Sequence, residues 1–222
     1  EQCLSQDRLR VYSHDQAGHR VVTARYLWNI ALSEALYAPL HLLEVGLRNA
    51  IDRAMVTETG SPTWYDSITL TPWGRSKVKD AKRSIDNGRK AVTPGRVIAE
   101  LHFGFWTAMF ESDFEKPDAR FLPKGIKATF PHMPKPLHNR KRIKADLDNI
   151  RKHRNRVFHH ERIIHWNDLP QQHQLILDFL GWLNPDLAEL AGIVDDFDTI
   201  HADGTQPYLD KLDDHFATVN GS

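Results

Sequence analysis

The chain is short of several things. It has one cysteine, Cys3, in 222 residues, so no intramolecular disulfide can form. That excludes a disulfide-stapled scaffold and fits a reducing compartment. No stretch approaches the ~20 consecutive apolar residues of a membrane span. The opening EQCLSQDRLR has neither an apolar signal region nor a small-residue cleavage site. These absences predict a soluble, unexported, cytoplasmic protein with no membrane partner, and the missing initiator Met suggests a trimmed start. With 12 Gly and 12 Pro, collagen and low-complexity disorder are excluded. The nucleophile elbow G-x-S-x-G, the Gly-rich phosphate loops and the zinc spacing H-E-x-x-H are all missing.

Net charge is missing too, since 29 Lys/Arg balance 29 Asp/Glu. The balance hides segregation. Residues 120–162 carry 13 Lys/Arg against Asp146, Asp148 and Glu161, together with five histidines, while residues 186–222 carry nine acids against Lys211. A basic cluster of this kind concentrates positive potential and attracts phosphates, though a solvated helix face gives the same pattern.

What remains is helical. Thr71-Pro72, Thr93-Pro94 and Asn184-Pro185 pair a capping residue with Pro in the first turn, and Asp168 precedes Pro170. From His19 to about Glu58, apolar residues recur at helical spacing: Leu27, Ile30, Ala31, Leu36, Leu40, Leu43, Leu47, Ile51 and Met55. Pro39 is expected to kink or divide that run. Further helices are predicted at 72–88, 94–111, 138–161, 169–183, 185–200 and 207–219, with a short one near Leu4 to Tyr12. Five prolines make 112–137 an irregular connection. No alternating strand pattern competes. The expectation is a single all-α unit, without Gly/Ser linker or internal repeat.

The stretch that carries chemistry is Arg151-Lys152-His153-Arg154-Asn155-Arg156-Val157-Phe158-His159-His160-Glu161. Imidazole exchanges protons near neutral pH, and guanidinium presents a fixed charge with a fork of donors to phosphate oxygens. Together they suit RNA cleavage by the neighbouring 2′-hydroxyl, which needs an acid/base group and a cation but neither metal nor covalent intermediate. On a regular helix Arg154 and His159 lie about 140° apart. Asn155 and His159, by contrast, are i, i+4 neighbours, so Asn155 is expected to hold the His159 ring. Bringing Arg154 and His159 to one phosphate then calls for a distorted helix end or a second copy across a twofold axis, which predicts a dimer.

Arg154 and His159, with four residues between them and the polar Asn155 following the Arg, resemble the R-x4-6-H signature of HEPN ribonucleases. In order along the chain, Leu27-Trp28-Asn29, Leu42-Leu43-Glu44-Val45, Leu47-Arg48-Asn49-Ala50-Ile51, Phe103-Gly104-Phe105-Trp106 and His159-His160-Glu161 resemble the Abi-like (AbiD/AbiF) branch, bacterial abortive-infection proteins that resist phage. The resemblance spans about residues 4–185. It implies a HEPN-type helical bundle with extra N- and C-terminal helices, a 1–185 domain, and a 186–222 acidic extension packed on the same unit. It further implies a homodimer with metal-independent endoribonuclease activity and no cofactor, restrained in toxin-like members by an antitoxin or regulatory RNA. Arg154 and His159 become the catalytic pair and Asn155 the polar helper.

Around that pair, Arg151, Lys152, Arg156 and His160 are RNA-binding candidates, the cations as phosphate contacts. His160 is open between a substrate contact and a structural ring. Arg140, Lys141, Arg142 and Lys144 are open between an extended RNA track and a solvated face. No metal site is expected, because four positive side chains surround His153, His159 and His160. Phe103-Gly104-Phe105-Trp106 reads as core packing, with Gly104 allowing close helix approach. Glu44 and Arg48, at i, i+4, read as a buried structural pair or as support for the motif helix. A non-catalytic RNA-binding or protein-interaction module is the alternative function, and a DNA-binding regulator a weaker one for want of a helix-turn-helix pattern.

Overall fold

A computed structural model describes residues 4–13, 15, 17–119 and 121–220, apart from the side chains of 219 and 220. Cys3 and Arg120 lie outside them. The chain is all-α, with 74% of it helical and no strand among the described residues. Its axis is α2, His19–Thr59, a helix of 41 residues and so about 60 Å long. Against it pack α1 (Gln6–Arg10), α3 (Trp64–Ser67), α6 (Phe103–Ala108), α7 (Lys124–Thr129), α8 (Arg140–Phe158), α9 (Leu169–Leu183), α10 (Pro185–Gly192), α11 (Phe197–Asp203) and α12 (Gln206–Asn220). The remaining helices, α4 (Pro72–Asn87) and α5 (Pro94–Glu100), pair with each other.

The inner stripe of α2 runs through Leu32, Leu36, Leu40, Leu43, Leu47, Ile51 and Met55, all buried, at the 3–4 residue spacing of one helix face. Part of α2 is long and apolar enough to cross a membrane, with a mean hydropathy of 1.3 and 39% of that stretch buried among its neighbours. Two expectations for α2 change. It runs unbroken through Pro39, which is itself buried, and Ile30 is 44% exposed.

Two of the other predicted helices and the predicted connection differ from the structure. Leu101 and His102 take extended dihedrals and split the 94–111 segment into α5 and α6. Similarly, 185–200 divides into α10 and α11. The segment 112–137 is not bare connection: it holds α7 and three 3-10 turns, and it buries Phe114, Phe121 and Phe130. Capping accounts for several starts. Thr71 accepts from the Gly74 N–H at 3.1 Å and Asn184 from the Asp186 N–H at 3.0 Å, whereas Thr93 and Asp168 begin helices without a side-chain cap.

Phe103, Phe105 and Trp106 are core residues as read, but Gly104 is not a point of close approach. A Cβ there would lie 3.7 Å from Arg151 Cδ, an ordinary contact. The tight glycines are Gly125 on α7, where a Cβ would meet the Phe121 ring at 2.3 Å, and Gly46 on α2, where it would meet Leu187 of α10 at 2.9 Å. The acidic C-terminal segment forms α10, α11 and α12: α11 and α12 contact α2, and α10 contacts α2 and α9. A buried His173–Asp195 pair, 2.7 Å apart, ties α9 to the turn before α11.

Candidate functional site

The motif helix α8 is amphipathic in a simple way. Ile143, Leu147, Ile150 and Val157 are buried, and the position that should complete this stripe, four after Ile150 and three before Val157, is Arg154. A cation placed there has to be met from the facing helix. It is met by Glu44, which lies beside the buried Leu43 at the edge of the α2 stripe. Arg154 Nη2 and Nε donate to Glu44 Oε2 at 3.0 and 3.2 Å, with both side chains about three-quarters buried. The guanidinium lies 4.2 Å from the centre of the Phe158 ring. Phe158 in turn stacks on Tyr37 of α2 at 5.1 Å. Arg154 is thus fixed on two sides, while Nη1 makes no hydrogen bond among the described residues.

The expected Glu44–Arg48 pair does not form. Glu44 goes to Arg154, and Arg48 Nε donates to Asn49 Oδ1 at 3.3 Å. Glu44 therefore supports the motif helix.

The helix ends at the two histidines. His159 is its last half-helical residue and is exposed. His160 has φ 56°, and Glu161 N–H closes back to the Arg156 carbonyl at 2.9 Å while His160 N–H reaches the Val157 carbonyl at 3.1 Å. This is a Schellman stop with histidine in the left-handed position that glycine usually fills. The left-handed turn costs a residue with a Cβ about 1–2 kcal/mol, so the surroundings have to hold it. Arg8 of α1 donates to the His160 carbonyl, and Arg156 pairs with Glu161. Asn29, only 3% exposed, accepts from Ile163 N–H at 2.7 Å and donates to the Glu161 carbonyl at 3.3 Å.

Asn29 and Arg8 are absent from the predicted site. Asn29 carried a signal, as a polar residue on the inner stripe of an apolar helix. Arg8 carried none, because its target is 152 residues away in sequence.

The predicted residues divide. Asn155 does not hold the His159 ring: their link is the backbone bond from His159 N–H to the Asn155 carbonyl, 2.9 Å, and none joins their side chains among the described residues. Nor does any hydrogen bond or ring contact there join Arg154 to His159. Arg151 lies 3.5 Å from Asp148, and Lys152 is exposed. Two members of the open basic stretch on α8 are taken up in ion pairs. Arg140 pairs with Glu115 at 2.6 Å and Lys144 with Asp148, their side chains 17% and 19% exposed. Arg142 lies 3.6 Å from Asp146, and Lys141 is exposed.

His153 is structural. Its Nδ1 lies 2.9 Å from the Asn149 carbonyl, and since a carbonyl only accepts, that nitrogen carries the proton. Its ring meets Trp166 edge-on at 4.1 Å. Burial lowers its pKa from the ordinary value, against the raising effect of that hydrogen bond. No group of three or more His, Cys, Asp or Glu side chains able to hold a metal occurs among the described residues.

Beside His160 a groove of about 580 Å³ opens between α2 and the end of α8. A scan of protein-family models, a search of curated proteins and a search of solved structures each return no match to this chain.

Proposed function

We propose that the chain is an endoribonuclease of the HEPN kind, from the Abi-like branch its motifs resemble, acting in the cytoplasm in defence against phage or as a toxin-like component. The reading is carried by Arg154, an arginine held by Glu44 and Phe158 through Nε, Nη2 and its face, with Nη1 bonded to nothing among the described residues, one helical turn before a histidine pair at a braced helix end. In this reaction the guanidinium faces the charge that builds on the phosphoryl oxygens. His159 exchanges a proton with the attacking 2′-hydroxyl or the departing 5′-oxygen. Because Arg154 faces α2 and His159 faces solvent, the pair meets one phosphate across two copies of the chain, so the proposal includes a homodimer.

Incubating RNA with the purified protein in EDTA tests it. Cleavage leaving 2′,3′-cyclic phosphate ends, lost in Arg154→Ala and in His159→Ala, is the expected result. Intact RNA with retained binding favours the second reading, a non-catalytic RNA-binding or protein-interaction module. One observation favours that reading: Glu44 neutralises Arg154 within the single chain.

A further inference from the structure

The groove beside His160 is not required by the proposed cleavage step, and its lining is unusual for a surface cleft. Tyr26, Ile30, Tyr37 and Phe158 make its walls apolar and aromatic, while Ser33, Glu34 and His160 set polar groups among them. Its volume of about 580 Å³ falls in the ~300–1,000 Å³ range of ligand clefts. Tyr37 and Ile30 are 53% and 44% exposed, two large hydrophobic side chains one heptad apart on the same face of α2. Tyr37 is also the middle of a stack: it packs on Phe158, which carries the Arg154 guanidinium on its ring, and the His41 ring lies parallel to it at 6.1 Å, so the part of Tyr37 open to a further ring is its exposed remainder. Whatever lies on Tyr37 is therefore one aromatic ring removed from Arg154.

Charge favours a polyanion's base over a neutral ligand here. Arg8, on the rim, hydrogen-bonds to a neutral carbonyl and not a carboxylate, so its charge stays available to a phosphate beside the groove. Glu34, by contrast, is exposed and makes no ion pair among the described residues. A carboxylate in an aromatic cleft accepts two hydrogen bonds side by side, which matches the adjacent N1–H and N2–H of guanine and finds no equivalent on uracil. The left-handed histidine fits the same picture: a position where glycine costs less carries an imidazole, a donor or acceptor among the groove's lining.

We propose that this groove is a nucleobase pocket, in which one unstacked base of single-stranded RNA packs on Tyr37 and Glu34 selects guanine over uracil. The proposal rests on the reading that the chain acts on RNA, and adds to it the choice of base. Binding to 2′-O-methyl oligonucleotides, which lack the attacking hydroxyl, tests it separately from cleavage. The full chain is titrated by fluorescence anisotropy into a ten-nucleotide uridine strand with or without one central guanosine. The guanosine strand is expected to bind more tightly, and Glu34→Gln to erase that preference while sparing the all-uridine strand. Tyr37→Ala should weaken both by about tenfold, with Tyr37→Trp restoring affinity and so separating stacking from misfolding.

Unchanged affinity in Tyr37→Ala overturns the pocket even where the wild-type chain cleaves RNA. The expected pattern without any cleavage leaves the pocket standing and removes the nuclease. Failure to bind either strand removes both. Should Tyr37→Ala and Ile30→Asp instead split a dimer in sedimentation while affinity per chain is unchanged, a second copy covers the groove and the pocket is wrong.

Discussion

Arg154, which takes a stripe position on α8, and Glu44, which flanks the buried stripe of α2, meet at 3.0 Å where the two helices pack. An ion pair in such a place contributes little to stability, because the cost of taking both charges out of water offsets most of their attraction. What it provides is a fixed orientation for the guanidinium.

Replacing Glu44 by Gln separates orientation from affinity. The fold should survive with a loss of about 1–2 kcal/mol in urea denaturation. RNA binding should hold or tighten, since a negative charge is removed, while single-turnover cleavage should fall on the order of 10- to 100-fold as Arg154 loses its alignment. Cleavage at the wild-type rate would mean that Glu44 only fills the interface.

Asn29 tests how the end of α8 is held. In Asn29→Ala the buried N–H of Ile163 loses its acceptor and the Glu161 carbonyl loses a donor. The expected loss is at least the roughly 1–3 kcal/mol of one orphaned buried group, read as a lower urea midpoint. Faster amide exchange around residues 160–164 should accompany it, and unchanged exchange would show the turn to be held by Arg8 and Glu161 alone.

His160→Gly sets function against stability at one residue. With φ 56° and an exposed side chain, replacing it by glycine relieves the left-handed strain and gives up little packing. Thermal stability should stay level or rise by up to about 1 kcal/mol, while affinity for the guanosine-containing strand falls. A clear loss of stability would show the imidazole to be structural.

His153 gives the protein a weakness in acid. Its folded pKa lies below its ordinary value because burial disfavours the charged ring. Above about 6.5, the unfolded value, both states are neutral and it contributes nothing. As pH falls below that, the unfolded chain takes up a proton that the folded one resists, and stability declines until the folded ring protonates as well. His153→Gln should flatten this part of the stability–pH curve. An unchanged slope would assign the effect to another group, His165 first, since its pKa is lowered for the same reason.

Much of the helical framework was legible because its causes are local. Thr71-Pro72 and Asn184-Pro185 start α4 and α10, and α9 has the predicted bounds. The misses have local causes too. Leu101 and His102 break a periodic run without a Gly or Pro to announce it. Residues 112–137 hid their helical turns behind prolines, although Phe114, Phe121 and Phe130 marked them as core. At the site, the sequence placed Arg154, His159 and His160 close together on one element, but helix geometry then pointed Asn155 and His159 at each other when only their backbones meet.

The sequence alone determined an all-helical chain, its charge segregation and the crowding of guanidinium and imidazole at one helix end, since capping, periodicity and composition act over a few residues. Tertiary structure alone decided that Glu44 goes to Arg154 and not Arg48, that Asn29 and Arg8 brace the His160 turn, and that Tyr37 completes a stack with Phe158. Those choices depend on which faces of α1, α2 and α8 come together when the core closes, and residues 110 or 152 positions apart exert no local preference on one another.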